Sequence, residues 1–91
     1  MGENMIKILW DQENHQALAF DQELCVGKCI FLEKEDTWNI IHTEVDSAYQ
    51  GKGIAKKLVL CLIQNAKKYQ KKLIAQCSYA KKMIENKEGN V

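Results

Sequence analysis

The hydrophobic pattern of the chain changes its period once, at the segment 50–55, and this change limits the possible folds more than any other feature. Before it, apolar residues alternate with polar ones, as they do in half-buried β-strands. After it, they recur at spacings of three and four from Ile54 to Tyr69, as on one face of an amphipathic helix. The chain is therefore predicted to pass from a sheet directly into a helix.

Three strands are predicted before the change of period. They cover residues 15–20, 24–34 and 37–45, and the polar pairs Gln22-Glu23 and Glu35-Asp36 separate them. Turns this short join neighbouring antiparallel strands. The first half of the chain is therefore predicted to be an antiparallel meander.

The second half is predicted to contain two helices and one more strand. The helices cover residues 53–69 and 79–85, with Ser78 as the N-cap of the second, and the strand covers residues 72–77. The resulting class is α/β, with the order βββαβα and helices packed on a mostly antiparallel sheet.

The two ends of the chain are less regular than its middle. Residues 1–12 fit either an edge strand or a packing arm, and residues 87–91 are predicted to be a loose polar tail. Two independent cores would each be too small to be stable in 91 residues. We therefore expect residues 1–91 to form a single domain.

The segment 50–55, Gln-Gly-Lys-Gly-Ile-Ala, has the composition of an anion-binding loop. Gly51 and Gly53 allow a tight turn that directs several backbone N–H groups to one point. The first turn of the following helix adds its own unpaired N–H donors. These features predict a phosphate site at the junction of strand and helix.

Two common phosphate-binding motifs do not fit this loop. A Walker A motif has Ser or Thr after its Gly-Lys pair, whereas Gly53 follows Lys52. A Rossmann motif has a third glycine where this chain has Lys56. The loop does match Gln/Arg-x-x-Gly-x-Gly/Ala, through Gln50, Gly53 and Ala55, and this is the pattern of GNAT acetyltransferases.

Three segments in order resemble a family of minimal GNAT-type N-acetyltransferases. They are HTEV at 42–45, QGKGIAKKL at 50–58 and QCSYAKKMIE at 76–85. The resemblance covers residues 15–86. It implies a GNAT-like fold and an enzyme that transfers an acetyl group from acetyl-CoA to a primary amine.

The resemblance also implies site residues. His42 and Glu44 are candidate general bases for the attacking amine, and their spacing puts them on one sheet face. Cys77, at the end of the last strand, is a candidate nucleophile, for which a helix N-terminus or His42 could lower the pKa. Ordinary structural positions are the alternatives for Cys77 and His42. The implied cofactor-binding residues are Val45, Gln50, Gly51, Lys52, Gly53, Ile54, Ala55 and Lys56.

The chain departs from the family at two places. Ala75 stands where the family often has proline before the cysteine. The last helix lacks the Tyr-x-x-x-Gly-Phe setting in which larger GNAT enzymes place a general-acid tyrosine. The resemblance therefore assigns no residue as the donor of a proton to the departing CoA thiolate.

The four cysteines are expected to be free thiols, and no metal site is predicted. Cys25 and Cys29 are spaced like a metal-binding pair, but in a strand four residues span about 13 Å, too far for one ion. Burial is the predicted role of both and of Cys61. The N-terminus lacks a signal-peptide pattern and no apolar run approaches the length of a membrane span, so a cytoplasmic protein is expected.

The net charge of +1 conceals an asymmetry between the two halves of the chain. Residues 1–46 hold three lysines and ten acids, giving −7, and residues 47–91 hold ten lysines and two acids, giving +8. The basic half indicates an anionic partner, which CoA would satisfy. A CoA-binding module without transfer activity and a nucleic-acid-binding protein are the alternatives. The absence of arginine disfavours the second. Neither the acceptor nor the oligomeric state is indicated.

Overall fold

The strands lie in the sheet in the order in which they occur in the chain. The computed structural model describes residues 6–89, with side chains up to residue 84. Its five strands form one sheet, antiparallel except for the parallel pair β4 and β5. The elements are β1 (Ile6–Asp11), β2 (Gln16–Asp21), β3 (Leu24–Lys34), β4 (Thr37–Val45), a 3-10 helix (Ser47–Tyr49), α1 (Ile54–Lys68), β5 (Lys72–Ala75) and α2 (Ser78–Gly89). The predicted α/β class and the mostly antiparallel sheet are confirmed.

One face of the sheet carries the core. Phe31 and Ile40 pair across β3 and β4 and are fully buried, as is Trp38. Helix α1 covers this face with Leu58 and Leu62, which recur at helical spacing. On the other face, large apolar side chains remain about half exposed: Leu9, Leu32 and Ile74. The segment 50–55, which leads into α1, is thus anchored through that helix to the covered face.

Two β-bulges change which side chains point into the core. In β3, Val26 is the extra residue between the pairs Ala19–Gly27 and Phe20–Cys25. An extra residue interrupts the alternation of a strand, so residues before and after it exchange faces. Cys29 is buried whereas Cys25 is exposed, so the predicted burial of Cys25 is wrong.

The second bulge lies in β4, where Ile41 is the extra residue between the pairs Phe31–Ile40 and Ile30–His42. Pairing of β4 with β5 ends at the same place, with Ile40 opposite Ala75. The Ile40 carbonyl then accepts the backbone N–H of Gln76 at 2.9 Å. Residues 41–45 of β4 therefore run on without a β5 partner, and the two elements diverge.

The predicted boundaries of the C-terminal elements need correction. Strand β5 ends at Ala75, two residues early, and α2 begins at Ser78, so Ser78 is inside the helix and is not its N-cap. The N-cap position belongs to Cys77, whose carbonyl accepts the Lys81 N–H at 2.9 Å.

The described ends of the chain are both regular. Residues 6–11 form the edge strand β1, one of the two possibilities for the N-terminal segment, and residues 1–5 lie outside the described part. Helix α2 continues to Gly89, so the predicted loose tail is wrong for residues 87–89. Lysine and glutamate are good helix formers, so polarity alone does not end a helix there. Residues 90–91 lie outside the described part.

Candidate cofactor and active site

A cavity of about 460 Å³ opens where β4 diverges from the β5–α2 junction. Six of the eight predicted cofactor residues line it: Val45, Gln50, Gly51, Gly53, Ile54 and Ala55. Lys52 and Lys56 do not line the cavity, and their side chains are exposed. The loop and the end of β4 thus form one wall of the cavity.

The backbone of the loop adopts the conformation for which its glycines are suited. Gly51 has φ 81° and Gly53 has φ 78°, both in the left-handed region that disfavours residues with a Cβ. A Cβ at either position would meet no atom within 4 Å, so backbone conformation and not crowding calls for glycine. Gly53 is the N-cap of α1, and no side chain caps the helix. The first-turn N–H groups are therefore available to an anion.

A short 3-10 helix connects β4 to this loop, and two acids hold it. The Asp46 carboxylate accepts the Ala48 N–H at 2.9 Å, and the Asp46 N–H donates to the Val26 carbonyl at 2.7 Å. The Tyr49 hydroxyl donates to the Asp21 carboxylate at 2.5 Å. This hydrogen bond and partial burial raise the pKa of Tyr49. Tyr49 also lines the cavity, and the partner lies 28 residues away, so no local pattern indicated it.

The two predicted bases lie together on the half-exposed face of β4. His42 Nε2 and Glu44 Oε1 are 2.7 Å apart, and the expectation that they share a face is confirmed. The hydrogen bond from His42, with a smaller contribution from Lys28, keeps the pKa of Glu44 below its usual range despite partial desolvation. Glu44 lines the cavity and carries a carboxylate that can accept a proton.

Thr43 and Cys77 lie on the opposite, core-side face of β4 from this pair. The Thr43 hydroxyl is 3.4 Å from the buried Cys29 thiol. Adjacent residues in a strand alternate, so His42 points away from this side. Burial acts to raise the pKa of Cys77, but hydrogen bonds from the backbone N–H groups of Ala80 and Tyr79 and from Thr43 outweigh it, and the pKa is lowered. The helix N-terminus and Thr43, and not His42, provide this effect.

Cys77 does not itself line the cavity, although residues on both sides of it do. Thr43, from β4, and Tyr79, from the first turn of α2, form the wall next to the half-buried sulfur. Neither residue was predicted. The sequence signal available for Tyr79 was a hydroxyl-bearing side chain in the first turn of the helix that follows the strand-end cysteine. The direction in which that side chain points depends on the residue at which α2 begins.

Among residues 6–84, no group of three or more metal-binding side chains is close enough to hold an ion. All four cysteines are free, as expected. Helices long and apolar enough to cross a membrane are absent from the described part of the chain.

The sequence profile of the GCN5-related N-acetyl-transferase family matches residues 16–90. The chain belongs to this family. The match begins at β2 and continues through α2, so it includes every element that lines the cavity. A comparison with curated proteins finds no significant sequence match.

Solved structures agree with this assignment. A GCN5-like protein from Staphylococcus aureus, solved by NMR, is 26% identical and has a TM-score of 0.68, over 98% of this chain and 85% of that one. The ribosomal-protein-alanine N-acetyltransferase of Brucella melitensis is 26% identical, with a TM-score of 0.63 over 86% and 65% of the two chains. An IAA acetyltransferase from Bacillus cereus is 27% identical, with a TM-score of 0.63 over 79% and 51%. This chain thus spans between half and two thirds of the latter two enzymes.

Proposed function

We propose that this protein is an N-acetyltransferase that transfers an acetyl group from acetyl-CoA to a primary amine. The observation that carries the proposal is the cavity between β4 and α2, which is lined by the two glycines of the loop at one end and by Glu44 and Tyr79 at the other. Family membership supports the reaction class. Free thiols and the lack of a membrane-spanning helix among residues 6–89 support a cytoplasmic location.

The residues of the loop suit the phosphates of CoA. Gly51, Gly53 and the uncapped first turn of α1 offer backbone N–H donors and the positive end of a helix dipole. Lys52 and Lys56 are exposed beside this loop and would add positive charge at its rim. Beyond Ile40, β4 has no β5 partner, so its free N–H and C=O groups suit the extended amide-containing arm of CoA.

The remaining residues supply proton transfer. The amine nitrogen attacks the thioester carbonyl carbon, the carbon–sulfur bond breaks, and CoA leaves as a thiolate. Glu44, hydrogen-bonded to His42, accepts the proton that the amine loses. Tyr79 lines the cavity and is the candidate donor of a proton to the thiolate. Cys77 would serve a two-step route, in which its thiolate first takes the acetyl group and releases CoA.

Ligand-dependent thermal unfolding tests the cofactor part of the proposal. A ligand at one hundred times its dissociation constant stabilises the folded state by about 2.7 kcal/mol, so the midpoint should rise with CoA concentration. Dephospho-CoA and free pantetheine, matched controls that lack one or all phosphates, should stabilise less. An unchanged midpoint at millimolar CoA contradicts the proposal.

Transfer is tested separately. Release of free CoA from acetyl-CoA in the presence of a panel of primary amines should exceed the rate without amine. Intact-protein mass after incubation with acetyl-CoA alone distinguishes the two routes: an added acetyl group that Cys77→Ser abolishes supports the two-step route. If the protein binds CoA but no amine increases the release of free CoA from acetyl-CoA, the protein is a binding module.

A further inference from the structure

Lys28 on β3 places a primary amine beside the carboxylate that the proposed reaction uses as its base. Lys28 and Glu44 are directly opposite each other in the β3–β4 register, so their side chains share one face of the sheet. Lys28 Nζ lies 3.8 Å from Glu44 Oε2. His42 contacts the other carboxylate oxygen, with Nε2 2.7 Å from Oε1. The two oxygens of Glu44 therefore face different partners, and Oε2 faces an amine.

The same pair lies where two cavities meet. A second cavity, of about 260 Å³, is lined by Lys28, Glu44 and Asp46 together with residues at the start of β3. Glu44 also lines the proposed cofactor cavity and is common to both. An amine in the second cavity is thus next to Glu44 at the edge of the cofactor cavity.

The proposed function requires its acceptor nitrogen to lie beside Glu44. A general base accepts a proton from a group within about 2.6–3.2 Å, and such contacts are often longer before the ligands bind. Lys28 Nζ, 3.8 Å from Glu44 Oε2, needs only a small movement of its flexible four-carbon stem to enter this range. The chain therefore already carries a primary amine where the reaction requires one.

We propose that Lys28 is a self-acetylation site, at which acetyl-CoA bound in the cofactor cavity acetylates the side chain of the same molecule. This inference rests on the proposed function. The Lys28 nitrogen bonds to the thioester carbonyl carbon, and the carbon–sulfur bond breaks. The ammonium loses two protons in all: Glu44 accepts one and passes it to solvent, and the other ends on the sulfur of CoA. The product is a neutral amide, which no longer pairs with the Glu44 carboxylate.

Other lysines of the chain supply the comparison. Lys71 Nζ is nearer to a carboxylate than Lys28 Nζ is, at 3.2 Å from Glu33 Oε2, but Lys71 lines neither of the two cavities. Lys52 and Lys56 lie beside the loop, at the opposite end of the cofactor cavity from the base, and they also line neither. General lysine reactivity would modify these three as readily as Lys28, whereas a reaction directed by the bound thioester selects Lys28.

The test is the position and rate of acetylation when the protein is incubated with acetyl-CoA alone. Hydroxylamine first removes acetyl groups held as thioesters, so that Cys77 does not contribute, and amides survive this treatment. Cleavage after glutamate then releases residues 24–33, in which Lys28 is the only lysine. Mass spectrometry should show acetylation of Lys28 at least about tenfold faster than that of Lys71, Lys52 or Lys56, because only Lys28 is held near the thioester.

Matched variants separate a base-assisted reaction from simple proximity. Glu44→Gln should slow the acetylation of Lys28 by about a hundredfold, and Glu33→Gln, the same change beside Lys71, should leave it as in the wild type. Lys28→Arg keeps the positive charge but should abolish the hydroxylamine-resistant gain in mass, whereas Lys71→Arg should not. The rate per molecule should be independent of protein concentration, because donor site and acceptor belong to one chain.

Equal acetylation of Lys28 and Lys71 in the wild type overturns the proposal, and so does an unchanged rate at Lys28 in Glu44→Gln. A rate that falls when the protein is diluted overturns acetylation within one molecule. If CoA raises the unfolding midpoint and added amines are acetylated while Lys28 is not, only this inference fails. If CoA leaves the midpoint unchanged and no acetyl group is transferred, the proposed function fails and this inference fails with it. Acetylated Lys28 without transfer to any added amine supports the inference and contradicts only the action on a separate amine.

Discussion

The two ends of the cavity present different parts of the chain to a ligand. At the loop end, residues 50–55 offer mainly backbone N–H groups, and Gly51 and Gly53 hold the necessary conformation. At the other end lie residues with reactive side chains, Glu44 and Thr43 from β4 and Tyr79 from α2. One end is contiguous in sequence, while the other is assembled by the divergence of β4 from α2. Substitutions should therefore weaken CoA binding at the first end and change proton transfer at the second.

The side-chain end is itself divided by β4. His42 and Glu44 lie on the half-exposed face, whereas the Thr43 hydroxyl lies 3.4 Å from the buried Cys29 thiol. A base and a thiol on opposite sides of one strand are not arranged as a catalytic cysteine–histidine pair. The two faces should consequently respond independently to substitution.

The largest effect is expected at the base. Glu44→Gln removes the proton acceptor without changing shape, and loss of a general base lowers the rate by about a hundredfold. Steady-state kcat/KM with the best amine measures it, and Glu35→Gln, an acid in the β3–β4 turn, is the matched control. The pH profile of Cys77 alkylation by iodoacetamide, followed by mass spectrometry, should stay as in the wild type. A coupled change in that profile would show that the two faces of β4 are not independent.

The pH dependence of kcat/KM in a His42 variant tests the side-chain end of the cavity further. Because the His42 hydrogen bond lowers the pKa of Glu44, His42→Ala, which leaves no donor there, should let that pKa rise. The acidic limb of the kcat/KM profile should then move to higher pH, since Glu44 must be ionised to accept a proton. A limb that moves to lower pH, or does not move, would assign the base role to another group.

The next effect concerns the stability contributed by the buried Cys29 thiol. The pKa of Cys29 is about 11 in the folded protein and near 9 in an unfolded chain, so the folded state favours the neutral thiol. This stabilisation is fully present below pH 9 and is lost as pH rises through 11, amounting to about 2–3 kcal/mol. The free energy of unfolding by urea should fall between pH 9 and 11, and Cys29→Ala should show a shallower fall. Parallel curves for the two proteins would contradict a buried neutral thiol.

The backbone end is tested at Gly53. A valine in place of Gly53, at φ 78°, would strain the loop. Its branched side chain would also occupy part of the proposed phosphate site, so the affinity for CoA should fall about tenfold. Isothermal titration with CoA measures the affinity. Gly53→Asn is the informative companion, because asparagine tolerates left-handed backbone. It should lose affinity with little loss of thermal stability, and wild-type affinity in Gly53→Asn would place the phosphates elsewhere.

The smallest effect is expected from the support of the loop. Tyr49→Phe removes the hydrogen bond to Asp21 and should weaken CoA binding by roughly threefold, as expected for one part-buried hydrogen bond. Tyr69→Phe, at the C-terminal end of α1 and away from the cavity, is the control and should bind as the wild type. Equal affinity in both variants would show that the 3-10 helix is held by Asp46 alone.

Much of the fold followed from local patterns. The bounds of β3 and β4 match the prediction to the residue, because alternating side chains and two-residue polar turns are contiguous signals. The loop was identified for the same reason, since two glycines and a helix start lie within a few residues. Family resemblance then indicated acetyl-CoA, and the family itself is confirmed.

Tertiary structure alone decided which side chains meet. The bulges at Val26 and Ile41 arise from the register between neighbouring strands, and each reassigns the faces that simple alternation predicts. They expose Cys25 and turn Thr43 toward Cys29. A one-residue difference in the start of α2 makes Cys77 its N-cap. The sequence thus determined where the glycine loop lies, while the pairing of strands determined which groups stand at the other end of the cavity.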